Sequence, residues 1–148
     1  MGAIVHPEKM TQLHPKLIAV IKRAAASLPF DLLIVQGVRT NEECYVNFGK
    51  GRTAAQCIAG NCPAKYANPK ARKVTFLGHA LSSNHRIKAD GFGHAADLAP
   101  APYNPNEPYA REKEISDAML EAAKELGANV VWGGAWIKTK DFPHFELL

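Results

Sequence analysis

The sequence predicts one globular domain that combines helices with short strands, and three observations carry this prediction. The chain has 148 residues, a length typical of one domain of about 100–200 residues. Its composition, 47% hydrophobic and 22% charged, is globular and argues against a disordered or fibrous chain. Two segments repeat apolar residues at helical spacing, while several short apolar runs are bounded by glycine or proline.

The first predicted helix and strand follow each other near the N-terminus. A helix should begin at His14-Pro15, because proline suits the first turn, and Pro29 should end it. Residues 31–36 form a short run of branched apolar residues before Gly37, which predicts a buried strand. The apolar stripe of the helix comprises Leu17, Ile21, Ala24, Ala25 and Leu28.

Glycines and prolines interrupt the middle of the chain. Residues 41–60 are predicted to be helical in part, and residues 61–72 to form an ordered loop. Residues 73–77 and 95–98 are predicted as the second and third strands. Residues 100–108 contain too many prolines for a regular element.

The C-terminal third contains the clearest helix, predicted over residues 109–126. Acidic residues crowd its first half, as helix N-termini favour. Strands are predicted over residues 129–132 and 143–147, joined across Gly133-Gly134. The residues of this helix at core-facing spacing are Ile115, Met119, Ala122, Ala123 and Leu126.

Basic residues are concentrated in one part of a chain whose formal net charge is +4. Between Cys44 and Ala89 there are eight Lys or Arg residues and no Asp or Glu. The remainder of the chain contains ten basic and fourteen acidic residues. A surface of one sign attracts a polyanion such as nucleic acid or an anionic cell-wall polymer. A solvated basic loop face is an equally good interpretation.

Neither the start of the chain nor its cysteines predict export. Residues 1–10 include His, Pro, Glu and Lys where a signal peptide would be apolar, and no apolar run reaches the roughly 18 residues of a membrane span. We expect synthesis in the cytoplasm and reduced thiols at Cys44, Cys57 and Cys62. A structural zinc site at Cys57, Cys62 and His79 is less favoured than buried small side chains.

Metal-ligand side chains cluster in two segments. His85, His94 and Asp97 lie in the first, and His144 lies in the second. A catalytic zinc takes three nitrogen or carboxylate ligands and leaves one position for water, and His85, Asp97 and His144 supply that set. The alternative to a metal site is that the histidines are isolated and that Asp97 is a buried aspartate held in a salt bridge.

Two acids flank His144. Asp141, three residues earlier, is the candidate general base for an attacking water. Because side chains alternate along a strand, Glu146 shares a face with His144 and is the reserve candidate.

These motifs resemble those of the zinc peptidases that include D-alanyl-D-alanine carboxypeptidases and the L-alanyl-D-glutamate endopeptidase endolysins of phages. The family pattern of Ser-x-His, Gly-x-Ala-x-Asp and Asp/Glu-x-x-His occurs at residues 83–85, 93–97 and 141–144. A Gln-Gly-x-Arg-Thr motif at residues 36–40 and TrpGlyGly at 132–134 also match. The resemblance covers nearly the whole chain.

The resemblance implies an α+β single domain over residues 1–148. A small, mainly antiparallel sheet would carry helices on one side and a zinc cleft on the other. Zn²⁺ would be held by His85, Asp97 and His144, and Asp141 would move the proton of the attacking water. The resemblance further implies that Arg39 holds a substrate carboxylate or the oxyanion, and that Ser83 orients a ligand or the substrate. Trp132 and Trp136 would wall the cleft, and a core position is the alternative for Trp132.

Two features depart from the family pattern. His85 and Asp97 are twelve residues apart instead of seven, which indicates a five-residue loop insertion and leaves His94 as a rival ligand. His85 is preferred because it alone follows the Ser-x-His pattern. The basic segment Lys50–Leu77 has no counterpart in the short form of the family.

The implied function is that of a phage endolysin that cleaves the L-Ala-D-Glu bond of the peptidoglycan stem peptide. Such an enzyme is made in the host cytoplasm and reaches the wall after a holin opens the inner membrane. We expect a monomer that binds peptidoglycan, without nucleic acid or stable membrane association. A D-Ala-D-Ala carboxypeptidase with the same site is the first alternative, and a non-catalytic, zinc-stabilised basic binding module is the second.

Overall fold

The structure is a computed structural model that describes residues 2–102, 106, 110–137 and 140–148. It divides into two units, and a five-stranded sheet with two long helices forms the larger one. The larger unit comprises Met1–Val38 and Ile87–Leu148 and is called the sheet unit below. The smaller, Arg39–Arg86, is called the helical unit. The expectation of one continuous domain stays a prediction.

The sheet is mixed and mainly antiparallel. Its strand order is β1-β2-β3-β5-β4, and only the β1–β2 pair is parallel. This confirms the α+β architecture with a small, mainly antiparallel sheet. The strands are β1 (Ile4–Val5), β2 (Asp31–Gln36), β3 (Ala95–Ala101), β4 (Val130–Trp132) and β5 (His144–Leu147).

Two helices of the sheet unit pack against each other, α1 (Pro15–Ser27) and α4 (Ala110–Leu126). The His14 ring accepts the Lys16 N–H and so satisfies one of the free donors at the start of α1. Gly127, directly after the C-terminal end of α4, adopts φ +67°, the left-handed conformation that glycine favours after a helix.

Apolar and polar side chains alternate along β3 and β5, so this part of the sheet has one apolar and one polar face. Ala96 and Leu98 of β3, with Phe145 and Leu147 of β5, join the core that α1 and α4 share. Because successive side chains of a strand point to opposite faces, the residues between them turn away from that core. Those residues are Asp97, His144 and Glu146.

The helical unit contains α2 (Asn41–Gly49) and α3 (Ala54–Ala59), which confirms partial helicity over residues 41–60. Each begins with a capping box, at Thr40 and Thr53 respectively. Phe48, Cys57, Cys62 and Ala80 form a separate small core. All three cysteines are free and buried, as expected of small apolar side chains.

Three predictions about the elements need correction, and one short strand was missed. Residues 73–77 form no strand, because the buried Arg52 guanidinium donates to the carbonyls of Thr75 and Leu77 and occupies acceptors that a ladder would use. Pro100 belongs to β3, where β5 no longer pairs and a residue without an N–H is tolerated. Leu126 is exposed at the last turn of α4, and β1 was not predicted.

Some predicted features lie outside the described residues. They are residues 103–105 and 107–108 of the proline-rich stretch and Tyr109 at the predicted start of α4. Within the part of the chain that the structure describes, no helix has the length and apolar character needed to cross a membrane.

Candidate metal centre

Asp97 and His144 face each other across two neighbouring strands. They are direct partners in the antiparallel register of β3 and β5, and His144 Nδ1 lies 3.4 Å from Asp97 Oδ1. Their side chains are 18% and 8% exposed, respectively. The sheet thus holds a carboxylate and an imidazole side by side with little access to water.

The second nitrogen of His144 contacts another carboxylate. Nε2 lies 2.8 Å from Oε1 of Glu146, two residues along β5. Burial lowers the pKa of His144, but interactions with Asp97 and Glu146 outweigh it and raise that pKa from its usual value near 6.5 to about 9. The imidazole therefore lies between two carboxylates, one on each ring nitrogen.

A tight turn places Asp141 next to the start of β5. The His144 N–H donates to the Asp141 carbonyl at 3.2 Å, and the Asp141 N–H donates to the Gly133 carbonyl at 3.0 Å. A Cβ added at Gly133 would lie 2.4 Å from the Asp141 carbonyl oxygen, so the turn needs glycine at that position. These contacts give a structural reason for both the Asp-x-x-His spacing and the TrpGlyGly motif.

The two tryptophans near this turn differ in their surroundings. Trp136 is 37% exposed, and its ring centroid lies 5.1 Å from that of His144. Trp132 is buried in the core of the sheet unit, and its indole N–H donates to the Phe142 carbonyl at 2.7 Å. Trp136 therefore lies where it can wall a site at His144, whereas Trp132 packs inside.

Within the helical unit, Ser83 supports the backbone of His85. The Ser83 hydroxyl oxygen accepts the His85 N–H at 3.2 Å, a local turn that explains the Ser-x-His spacing. The Arg39 N–H donates to the His85 carbonyl at 2.8 Å, and Arg39 Nη1 lies 3.4 Å from Ser83 Oγ. His85 itself is buried.

The sheet unit contains two of the predicted ligands, Asp97 and His144, and the helical unit contains the third, His85. Two imidazoles and a carboxylate are a donor set that zinc commonly takes in catalytic sites. With metal–ligand bonds of about 2.0–2.1 Å, two donors in a tetrahedral site are separated by about 3.3–3.4 Å. The 3.4 Å between Asp97 Oδ1 and His144 Nδ1 matches that separation, so the residues present fit a zinc ion.

His94, the rival ligand in the sequence, has a different partner. Its Nε2 lies 2.6 Å from Asp90 Oδ2, and its ring packs edge-on against that of His14. The hydrogen bond from His94 lowers the pKa of the Asp90 carboxyl. His94 therefore has a carboxylate partner of its own within the sheet unit.

Sequence reasoning missed the contact between Glu146 and His144 Nε2 and that between Asp90 and His94. The first had a signal, since residues two apart on a strand share a face. The second lies in a loop, where periodicity gives no such signal.

Comparisons with known proteins agree with this geometry. A family model described as D-alanyl-D-alanine carboxypeptidase matches residues 78–147. The solved structure of the L-Ala D-Glu endopeptidase ChiX from Serratia marcescens has the same fold, with 23% sequence identity and a TM-score of 0.65, over 98% of this chain and 90% of that chain. No curated protein sequence matches the chain.

The matched segment contains His85, Asp97, Asp141 and His144. This match confirms that the chain resembles the D-alanyl-D-alanine carboxypeptidase family.

Proposed function

We propose that the protein is a zinc-dependent peptidoglycan peptidase that cleaves the L-Ala-D-Glu bond of the stem peptide. The observation that carries the proposal is the cross-strand pair of Asp97 and His144, and the sequence segment that matches the peptidase family contains both residues together with His85. The fit of the Asp97 and His144 donor atoms to tetrahedral spacing adds support.

His85, Asp97 and His144 would hold the ion in this proposal. When bound, zinc supplies a Lewis acid that polarises the scissile carbonyl and makes water a nucleophile at neutral pH. The polar face of a sheet is a rigid support for the two ligands Asp97 and His144. Trp136, against the His144 ring, limits the access of bulk water from its side.

Asp141 is the proposed general base. It would accept a proton from the attacking water and then deliver that proton to the leaving amine of D-Glu. Its support is local: the hydrogen bond from His144 N–H to the Asp141 carbonyl makes the two residues the ends of one turn. The backbones of Asp141 and His144 are therefore held close together by this turn.

Arg39 is proposed to select the bond. D-Glu carries an α-carboxylate directly beside the L-Ala-D-Glu amide, and the planar guanidinium can bind such a group with two parallel hydrogen bonds. An endopeptidase with this contact needs no chain end. The likeness of the fold to that of the L-Ala D-Glu endopeptidase ChiX favours this bond.

A D-Ala-D-Ala carboxypeptidase is the second candidate, because the matching family model is that of D-alanyl-D-alanine carboxypeptidases. It would use the same ligands and the same base, and Arg39 would then bind the terminal carboxylate. A non-catalytic binding module would need the ligands but not Asp141.

The biological role we propose is lysis by a phage enzyme. The protein would remain in the host cytoplasm until a holin opens the inner membrane, and would then act on the wall as a monomer. The acid-free segment between Cys44 and Ala89 supports attraction to an anionic envelope.

Mass spectrometry of digested, purified peptidoglycan tests the bond directly. Cleavage at L-Ala-D-Glu leaves L-Ala carboxyl termini on the glycan side and releases peptides that begin with D-Glu, with little free D-Ala. Release of D-Ala as the main product would favour the carboxypeptidase instead. Undigested material with the zinc-loaded protein would contradict both peptidase proposals.

A further inference from the structure

Glu146 occupies a specific place relative to the candidate ligand His144. Its Oε1 lies 2.8 Å from His144 Nε2, and the two side chains are 13% and 8% exposed. A hydrogen bond between partners this well shielded from water holds the ring firmly.

The two ring nitrogens of His144 therefore have different surroundings. A metal ligand must be the neutral imidazole, which carries one N–H and presents a lone pair on its other nitrogen. When Nε2 keeps its proton and donates it to Glu146, 2.8 Å away, the lone pair belongs to Nδ1, which lies 3.4 Å from Asp97 Oδ1. His144 Nδ1 and Asp97 Oδ1 are then close enough to bind the same cation.

We propose that Glu146 is a positioning residue that fixes the tautomer and the orientation of His144, so that Nδ1 is the atom available to the metal. This inference rests on the proposed zinc function. Metal-binding histidines commonly donate their second N–H to a carboxylate, and loss of that partner typically weakens metal binding by about 10–100-fold.

The same contact assigns different roles to the two acids near His144. The Glu146 carboxylate is engaged by the imidazole N–H and lies on β5 opposite Ala95 of β3. The Asp141 carbonyl accepts the His144 N–H within the turn described above, and Asp141 is the acid of the Asp-x-x-His motif. Glu146 thus serves the ligand, and Asp141 remains the proposed base.

Zinc affinity of the purified full-length protein, measured by competition with a chromophoric chelator, tests the proposal. Glu146→Ala should bind zinc about 10–100-fold more weakly than the wild type. Glu146→Gln should restore most of that affinity, because its amide oxygen still accepts the Nε2–H. Glu125→Ala is the matched control: it removes a carboxylate of the same unit that pairs with Arg23 at 2.8 Å, and zinc affinity should not change.

A second readout follows the ring itself. In the zinc-loaded wild type, the ¹⁵N shifts of His144 should show a protonated Nε2 and a metal-bound Nδ1. Circular dichroism and thermal melting establish that each variant is folded, and Glu146→Gln provides a folded comparison if Glu146→Ala is not.

The outcomes separate this inference from the proposed function. A folded wild type that binds no zinc overturns both. If the wild type binds zinc and Glu146→Ala binds it equally well, only the positioning role is wrong. Unchanged zinc affinity with lost turnover in both Glu146 variants would instead make Glu146 the base.

Discussion

Asp97 of β3 and His144 of β5 are direct cross-strand partners, with Oδ1 and Nδ1 3.4 Å apart on the face of the sheet that turns away from the core. Forty-seven positions separate them in the sequence, yet the register of two paired strands fixes their distance. Adjacent Ala96 and Phe145 are buried in the core on the opposite face. A slip of one residue would exchange the two faces, so packing of the core also preserves the candidate metal centre.

Replacing His85 by Ala should remove stoichiometric zinc, because only two protein ligands would remain. His94→Ala is the matched control, and it should keep most of the metal, since His94 pairs with Asp90. Metal content by atomic emission, measured after dialysis against trace zinc, distinguishes the two. The opposite result would reassign the ligand to His94.

Chelation should abolish turnover of purified peptidoglycan, and added zinc should restore it. The measurement is release of stem-peptide fragments before chelation, after it and after readdition. Full activity in a preparation shown to be free of metal would contradict the zinc proposal.

Asp141→Ala should keep zinc but lower turnover by about 10²–10⁴-fold, the usual effect of losing a general base. Metal content and the rate of peptide release are measured on the same sample. Asp117→Ala, which changes an exposed acid on α4, is the control and should leave both unchanged. A rate near that of the wild type in Asp141→Ala would move the proton transfer to another group.

Gly133→Ala should destabilise the fold by about 1–3 kcal/mol, the typical cost of inserting a methyl group into a filled site. The new Cβ would press on the Asp141 carbonyl, so turnover should fall together with the melting temperature. Gly78→Ala is the matched control, because a Cβ at that position meets no atom within 4 Å. Equal melting temperatures for the two variants would show that the turn can relax.

Neutralising Lys70, Arg72 and Lys73 together should weaken lysis of permeabilised cells at low salt. These residues are exposed, so salt screens their attraction beyond the Debye length of about 10 Å at 0.1 M. Cleavage of a small soluble stem peptide should be spared. A control with Lys16, Lys22 and Lys124 neutralised carries the same change in net charge in the sheet unit.

The outcome with the soluble peptide decides how this result is interpreted. Equal loss on cells and on the peptide would show that the basic residues shape the site instead of attracting the envelope. Equal loss in the control triple would assign the effect to net charge alone.

The sequence by itself determined the elements whose signals are local. Apolar spacing in α1 and α4, the proline at the start of α1 and the run of branched residues in β2 each act over a few residues, and the structure has all three elements. The ordered motifs likewise indicated the peptidase family and the three candidate ligands, because ligand chemistry restricts which residue types can serve.

Only the tertiary structure decided which distant groups meet. Residues 73–77 have strand-like composition, but Arg52 satisfies the carbonyls of Thr75 and Leu77 where a strand would need a neighbour. β1 is only two residues long and exists because β2 pairs with it. The partner of His144 Nε2 likewise depends on side-chain geometry as well as on spacing. Local patterns set periodicity and caps, whereas pairing, register and hydrogen-bond partners depend on contacts that form only when the chain folds.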